Sequence, residues 1–323
     1  MNQKKPLIIL TGPTAVGKTK ASIGLAHALN GEIISADSMQ VYRQMDIGTA
    51  KITPLEMDGV VHHLIDILEP DEVFNVAEFQ KRAQEAMEAI YAKGKIPIVV
   101  GGTGFYIQSL LYAIDFTQVE GHPYRTELET LAQVQGSAYL HAKLQEIDPV
   151  AANTIHANNV KRVIRAIEYF YETGNLISHH NEQERQKASP YNFCYLVLND
   201  HREHLYSRID QRIDEMVADG LVAEVTALLA QGYHKDLVSM QGLGYKEIVA
   251  FLEGTCDIEE AIRILKRDTR HFAKRQLTWF KRERAVKWVD KSDYGYAEEA
   301  ILSALLTHIE AETGLIAPSS ETK

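Results

Sequence analysis

The sequence predicts an α/β fold in which a parallel sheet is interrupted by an all-helical insertion. In the first third of the chain, short apolar runs such as PLIIL and IPIVV alternate with amphipathic helical patterns, as in βαβ units. From about 115 to 192 the pattern is helical only, and the strand-like run NFCYLVLN follows it. A glycine-containing stretch with phosphate-binding spacing directly follows the first apolar run.

The first strand, PLIIL, leads into the spacing Gly12-x4-Gly17-Lys18-Thr19. Glycine lets successive backbone N–H groups converge on one anion, and the helix predicted from about Lys18 adds its positive end. Lys18 supplies a point charge for the terminal phosphate, and the Thr19 hydroxyl is placed to ligate Mg²⁺. The core is therefore expected to be P-loop NTPase-like. The expected phosphate contacts are Gly12, Pro13, Thr14, Ala15, Val16, Gly17, Lys18 and Thr19.

The next two strands, EIISA and IPIVV, each run into polar residues. In open parallel sheets, ligands bind outside the carboxyl ends of the strands. After EIISA, Asp37 is either a general base near the phosphates or the cap of a following helix. After IPIVV, the sequence GGTG either presents Thr103 as a donor to an oxygen that gains charge or forms a tight turn that only glycine fits.

The second acid that a motor NTPase or kinase uses to hold Mg²⁺ is not evident. IPIVV ends in two glycines, LVLND ends in Asp200 only after the insertion, and Asp66 lies inside an apolar run. The loop thus indicates phosphate binding. It leaves open whether phosphate is transferred or departs as a leaving group.

The same patterns predict the domain organisation. We expect an α/β core with C-terminal helices over 1–115 and 193–310, a helical insertion over 116–192, and a disordered polar tail over 311–323. No apolar run approaches the roughly 20 residues that span a bilayer. Only four apolar residues follow Pro6, so we expect no secretory leader. Two cysteines outside any metal-ligand spacing fit a reducing cytoplasm.

Charge is unevenly distributed along the chain. The formal net charge is −10, which argues against indiscriminate nucleic-acid binding. Residues 261–287 hold ten Lys/Arg against two acidic residues, so this window is +8 and the rest of the chain is −18. Such a patch indicates one polyanionic partner, with a solvated basic face as the alternative. The stripe at helical spacing comprises Arg263, Arg267, Arg270, Lys274 and Lys281.

Several further segments occur in one order over residues 7–284. They are GPTAVGKT, DSMQVYRQMDIGTAK, HHLIDI, GGTGFY, NVKRVIRAIE, LYSRIDQRIDEMVADGLVAEV and KRQLTWFKR. Together they resemble the bacterial tRNA dimethylallyltransferases, also called tRNA isopentenyltransferases. The resemblance implies transfer of a dimethylallyl group from dimethylallyl diphosphate to N6 of the adenosine 3′-adjacent to the anticodon, tRNA position 37, with release of diphosphate. A P-loop kinase of a nucleotide or small metabolite is the alternative.

The resemblance assigns roles to individual residues. Asp37 resembles the base that accepts the N6 proton, and Thr103 resembles the donor near the bridging oxygen. Lys18 resembles a cation that stabilises the charge developing on the diphosphate. Arg212 resembles a further diphosphate contact, with Arg208 as second choice. By itself, however, an arginine four residues from an aspartate on a helix more often forms a surface ion pair. The implied cofactor is Mg²⁺ on Thr19. The implied contacts to the tRNA anticodon stem-loop are Asp37, Ser38, Met39, Gln40, Thr103, Arg125, Lys161, Arg162, Arg165, Gly244, Tyr245, Lys274, Arg275, Gln276, Trp279 and Lys281.

The chain departs from the family pattern at three places. Lys161 stands where the family commonly has Gln, and Val16 replaces a common Ser in the loop. QGLGY at 241–245 replaces a common Arg-Cys-Val-Gly-Tyr, which leaves the contacts of the base pocket open. The backbone N–H of Val16 is retained, so we expect phosphate binding to survive. By the same resemblance we expect a cytoplasmic monomer without a membrane segment.

Overall fold

The computed structural model describes residues 4–116 and 124–316. In these ranges a six-stranded sheet runs in the order β3-β2-β4-β1-β5-β6, and all neighbouring strands are parallel. The parallel α/β sheet predicted from the sequence is thus confirmed. The strands are β1 (Pro6–Thr11), β2 (Gly31–Ser35), β3 (His62–His63), β4 (Ile96–Gly101), β5 (Asn192–Asn199) and β6 (Val286–Asp290).

The helices follow the strands along the chain in the order expected for crossover connections. Two short 3₁₀ turns, Ser239–Gln241 and Lys291–Tyr294, precede the eleventh and the thirteenth helix of the series below. The described α-helices are α1 (Lys18–Leu29), α2 (Val76–Ala92), α3 (Gly104–Leu111), α4 (Arg125–Gln135), α5 (Ser137–Ile147), α6 (Pro149–Thr154), α7 (Val160–Thr173), α8 (Ile177–Gln186), α9 (Arg202–Ala218), α10 (Leu221–Ala230), α11 (Tyr245–Leu252), α12 (Ile258–Phe280) and α13 (Glu298–Thr313).

The central strand β1 explains why the sheet forms here. Leu7, Ile8, Ile9 and Leu10 are all buried, on both faces of the strand. A continuous apolar run of this kind is typical of a parallel strand that is covered by helices on both sides. Because β4 and β5 pair with its two edges, the loop that follows β1 lies at the middle of the carboxyl edge.

The chain divides into two compact units. One comprises the residues up to Leu111 and from Pro190 onward, and contains the sheet. The other is Tyr112–Ser189, whose described residues form α4–α8 and no strand. The second unit has its own apolar core, in which Leu140, Leu144 and Val163 are fully buried.

The C-terminal end differs in part from the sequence prediction. Helix α13 continues to Thr313, so the expectation of disorder from 311 is wrong for its first three residues. The helix persists because Leu305 and Ile309 are fully buried, and because Asn192 Nδ2 donates to Thr313 O at 2.9 Å. Residues 317–323 lie outside the described residues, and the prediction for them stays a prediction.

None of the described helices combines the length and the apolar character that a membrane span requires. Helix α12, with 23 residues the longest of those described, is basic rather than apolar.

Candidate active site

The loop between β1 and α1 folds tightly around its own lysine. Gly17 precedes α1 with φ 100°, and Ala15 has φ 64°, so the backbone turns sharply twice within the loop. Lys18 Nζ donates to Gly12 O at 3.0 Å and to Pro13 O at 2.9 Å. The ammonium is therefore held at the mouth of the loop, where an incoming phosphate would compete with these carbonyl oxygens.

Two more cations hold the loop from outside. Arg208 Nε donates to Ala15 O at 2.8 Å, and Lys291 Nζ donates to Val16 O at 3.2 Å. These two contacts place both cations against the backbone of the loop. Lys291 was not predicted, because the strand β6 that delivers it was not recognised in the sequence.

The cations around the loop disfavour each other's charged forms. Burial, followed by the nearby Arg212, lowers the pKa of Lys18 to about 8, and Asp37 opposes this shift only partly. Burial and then Arg208 lower the pKa of Arg212 and, likewise, that of Lys291. Half-buried cations that lower one another's pKa have too little negative charge around them to balance their own. The site is therefore suited to a polyanion.

Asp37 lies after β2 with one carboxylate oxygen occupied. Its Oδ1 accepts the backbone N–H groups of Met39 at 2.8 Å and Gln40 at 3.3 Å. No helix begins here, so these bonds stabilise a turn, which also contains Ser38. Within the described residues Oδ2 accepts no hydrogen bond from the protein. The helix-cap alternative is therefore wrong, and the role of Asp37 as a base stays a prediction, for which the other carboxylate oxygen is open.

Gln276 lies inside the site. It is only 6% exposed, and its Oε1 accepts Thr14 N–H at 2.8 Å while its Nε2 donates to Gly102 O at 3.1 Å. A Cβ at position 102 would collide with Nε2, so glycine is required there for this approach. The side chain expected to contact tRNA instead ties the phosphate loop to the loop that carries Thr103.

The GGTG loop presents Thr103 at the carboxyl edge of the sheet. Its backbone N–H donates to Ala36 O at 3.3 Å, and its carbonyl accepts Tyr106 N–H at 3.0 Å in the first turn of α3. Among residues 4–116 and 124–316, the Thr103 hydroxyl has no protein partner. The backbone is thus fixed while the hydroxyl remains available. The tight-turn alternative holds as well, because Gly102 makes the close approach to Gln276.

Two residues expected to contact tRNA are otherwise engaged. Tyr245 is fully buried and its hydroxyl donates to Glu224 Oε1 at 2.7 Å, so its side chain does not face solvent. The N–H of Gly244 donates to Glu247 Oε2 at 2.9 Å. The segment instead supports the Asp37 turn, since the methyl group of Met39 lies against Gly242.

The arginines of the helical unit are only partly free. Arg125 Nε donates to the buried carboxylate of Glu168 at 3.0 Å, and a second nitrogen of the same guanidinium also binds it. Arg165 lies 3.5 Å from Glu168. Arg125 is therefore paired within this unit, but its side chain is 41% exposed, and its contact with tRNA stays a prediction. Lys161 and Arg162 are exposed and have no acidic partner among the residues described.

The cationic stripe of α12 is neutralised over its first half. The acidic partners of these cations lie on α12 itself and on α9. In each pair the shortest distance between a side-chain nitrogen and a carboxylate oxygen is 2.6 or 2.7 Å. These pairs are Arg263 with Glu260, Lys266 with Asp214, Arg267 with Asp268, and Arg270 with Asp210. In the described ranges, Lys274, Arg275 and Lys281 have no acidic partner. The unpaired positive charge is therefore at the C-terminal end of the helix.

Aromatic side chains lie at that same end. The rings of Phe105 and Trp279 meet edge to face with centroids 6.2 Å apart, and Phe105 is 41% exposed. Phe105 follows directly after the GGTG loop, so this pair lies next to Thr103. An exposed ring beside unpaired cations is a surface on which an unstacked base can rest.

Comparison with known proteins agrees with this geometry. Residues 40–283 match the family model described as IPP transferase. The chain is 63% identical over 303 residues to a tRNA dimethylallyltransferase of Lachnoclostridium phytofermentans, covering 94% of this chain and 96% of that protein. It is 53% identical to a tRNA dimethylallyltransferase of Carboxydothermus hydrogenoformans, covering 88% and 91% of the two chains.

Solved structures give the same result for the fold. The full-length tRNA isopentenylpyrophosphate transferase from Bacillus halodurans is 45% identical with a TM-score of 0.72, and the match covers 97% of this chain and 99% of that one. A eukaryotic dimethylallyltransferase, solved in snapshots of its action on tRNA, is 27% identical with a TM-score of 0.80. That match covers 99% of this chain and 82% of the eukaryotic one.

Proposed function

The chain belongs to the IPP transferase family, and from this premise we propose that it is a tRNA prenyltransferase. It transfers a dimethylallyl group from dimethylallyl diphosphate to N6 of the adenosine 3′-adjacent to the anticodon, at tRNA position 37, and releases diphosphate. One observation carries the proposal. A cation-rich phosphate loop and a carboxylate with one open oxygen lie at the same edge of the sheet.

The loop holds the leaving group in this reaction. The C–O bond to the allylic carbon breaks, both electrons go to the diphosphate oxygen, and no P–O bond is cleaved. Lys18, Arg208, Arg212 and Lys291 stabilise the charge that develops on diphosphate. The lowered pKa values of Lys18, Arg212 and Lys291 support this role, because the anion restores the favourable environment of the charged forms.

The acceptor amine loses its proton to Asp37. As N6 forms its bond to carbon, Oδ2 takes the N6 proton, while Oδ1 keeps the two backbone hydrogen bonds that orient the carboxylate. The Thr103 hydroxyl donates toward the bridging oxygen as the C–O bond lengthens. Gln276 sets the distance between these groups and the phosphate loop, because it binds both loops.

Mg²⁺ fits this site through the substrate rather than through a protein cage. The described residues contain no group of three or more His, Cys, Asp or Glu that could hold a metal. Mg²⁺ usually keeps several waters and is bound by one or two protein groups together with substrate phosphates. Thr19 is exposed in the first turn of α1 and is the residue that would hold it. When bound, the ion supplies further charge neutralisation on the diphosphate.

RNA is recognised by the unpaired cations and the exposed ring. Lys274, Arg275 and Lys281 bind phosphates, and Phe105 with Trp279 supports a base beside the site. The target adenosine leaves the stack, because N6 cannot otherwise reach an electrophile held at the sheet edge. In the helical unit, the predicted tRNA contacts Lys161 and Arg162 have exposed side chains.

The kinase alternative is weaker because the nearest candidate for a Mg²⁺-binding acid is occupied. Asp200 follows β5 next to the loop, and its carboxylate accepts His201 N–H at 2.7 Å, Tyr296 O–H at 3.1 Å and a bond with His204 Nδ1 at 2.6 Å. Its side chain is fully buried. Such a carboxylate is committed to the protein and is not open to a metal.

The deciding experiment incubates the protein with dimethylallyl diphosphate, Mg²⁺ and an anticodon stem-loop that carries adenosine at position 37. We expect nucleoside mass spectrometry to detect N6-dimethylallyladenosine at that position. The matched control RNA carries guanosine there and should remain unmodified. ATP consumption that depends on a small metabolite and not on RNA, together with unmodified RNA, would favour the kinase instead.

A further inference from the structure

The carboxylate of Glu224 holds the loop of residues 46–50, to which no role has been assigned above. Glu224 lies in the first turn of α10. Its Oε2 accepts the backbone N–H groups of Asp46 at 2.9 Å and Ile47 at 2.7 Å, and its Oε1 accepts Gly48 N–H at 3.0 Å and the Tyr245 hydroxyl at 2.7 Å. Hydrogen bonds to an ionised carboxylate are among the stronger ones in proteins. Four of them converge here on a single side chain.

The ring of Tyr245 packs directly against the backbone of this loop at Gly48. A Cβ at position 48 would lie 2.6 Å from atoms of the Tyr245 ring, so only glycine allows the ring to approach. Burial and the adjacent Glu224 raise the pKa of Tyr245, so its hydroxyl remains protonated and remains a donor. Glu224 and Tyr245 together fix the 46–48 backbone from one side.

The other side of the loop holds Gln40. Its Nε2 donates to Thr49 O and to Ala50 O, each at 3.2 Å. The backbone N–H of Gln40 donates to Asp37 Oδ1 at 3.3 Å. A continuous set of hydrogen bonds thus runs from the carboxylate of Glu224 through residues 46–50 to Gln40 and ends on the carboxylate of Asp37.

We propose that Glu224 is a positioning residue for the general base, acting through residues 46–50 and Gln40. The inference rests on the proposed function, in which Asp37 accepts the N6 proton. Glu224 itself exchanges no proton with substrate. It sets the backbone conformation that places Gln40, and Gln40 in turn holds Oδ1 of Asp37 so that Oδ2 faces the acceptor.

The test compares Glu224→Gln with the wild-type enzyme on the stem-loop substrate. The amide has nearly the same shape, but its NH₂ group cannot accept a backbone N–H, so part of the loop loses its acceptor. We expect kcat to fall on the order of 10²-fold, as a misplaced catalytic group typically costs. The KM for dimethylallyl diphosphate should change by less than about twofold, because the phosphate loop and its cations are untouched.

A matched control separates positioning from general destabilisation. Glu32 is also a buried glutamate, but it lies in β2 and its carboxylate binds His63, Lys93 and Lys95. Glu32→Gln should lower the midpoint of thermal unfolding and leave kcat within about twofold. If Glu224→Gln does not fold, Glu224→Asp retains the charge with a shorter reach and should show the same fall in kcat without a change in KM.

A second measurement tests the proposed route. Gln40→Leu removes the next link, so the double variant Glu224→Gln/Gln40→Leu should have nearly the kcat of the slower single variant. Fold-losses that multiply would overturn the inference, since residues acting in series are not additive. An unchanged kcat in folded Glu224→Gln would overturn it too. Absence of transfer by the wild-type protein would instead contradict the proposed function itself.

Discussion

Diphosphate binding should weaken as the pH rises through the pKa of Lys18. In the free protein, burial and the nearby Arg212 lower that pKa from 10.5 to about 8. The diphosphate anion favours the ammonium form, so the pKa is higher in the complex than in the free protein. Above about pH 8 each binding event must therefore take up a proton. Affinity is highest below this pH and falls above it.

The magnitude follows from the charged fraction. With a pKa of about 8, the ammonium fraction of Lys18 falls from about 0.9 at pH 7 to about 0.1 at pH 9. The apparent Kd for dimethylallyl diphosphate scales inversely with the competent fraction, so it should rise about tenfold over this range. That change corresponds to about 1.4 kcal/mol of binding free energy.

Isothermal titration calorimetry without RNA, at fixed Mg²⁺, measures this dependence. Titrations in buffers of different ionisation enthalpy should report nearly one proton taken up per ligand at pH 9 and almost none at pH 6.5. The variant Lys18→Met retains the titration of the ligand and of the other cations, and its residual binding should lose most of the pH dependence. A flat wild-type Kd between pH 7 and pH 9, or the same slope in Lys18→Met, would refute the reasoning.

Three further predictions concern the base, the buried glutamine and the RNA surface. Asp37→Asn should slow single-turnover prenyl transfer by about 10²–10⁴-fold, with the Kd of the stem-loop unchanged within about threefold in a filter-binding assay; near-normal transfer would exclude Asp37 as the base. Gln276→Met leaves the part-buried N–H of Thr14 and the buried C=O of Gly102 unpaired and should lower the free energy of unfolding in urea by about 2–4 kcal/mol, whereas a change below about 0.5 kcal/mol would show that both groups find other partners. Lys274→Ala and Lys281→Ala should each weaken RNA binding and reduce the slope of log K against log salt by about one. Arg263→Ala, whose arginine is already paired with Glu260, should reduce that slope much less, and equal effects would contradict the assignment of free and paired cations.

The sequence by itself determined the sheet and most of the residues at its carboxyl edge. Apolar runs of strand length predicted β1, β2, β4 and β5, because a parallel strand covered on both faces carries mostly apolar side chains. The spacing from Gly12 to Thr19 fixed the phosphate loop, since the backbone conformation there depends on residues that are close in sequence. Asp37 and Thr103 could be located because both directly follow predicted strands. Strand β6, with its less apolar sequence VKWVD, carried too weak a pattern to be recognised.

Only the tertiary structure decided which polar side chains face a ligand and which bind the protein itself. The resemblance named Gln276 as a tRNA contact, but the two loops that it binds are distant in sequence, with Thr14 262 residues away. The same holds for Arg125, whose buried partner Glu168 comes from another helix, and for Glu224, whose hydrogen bonds reach residues 46–48. A charged or amide side chain looks alike in either role. What distinguishes the roles is a partner brought within about 3 Å by the fold, and a local pattern contains no information about that partner.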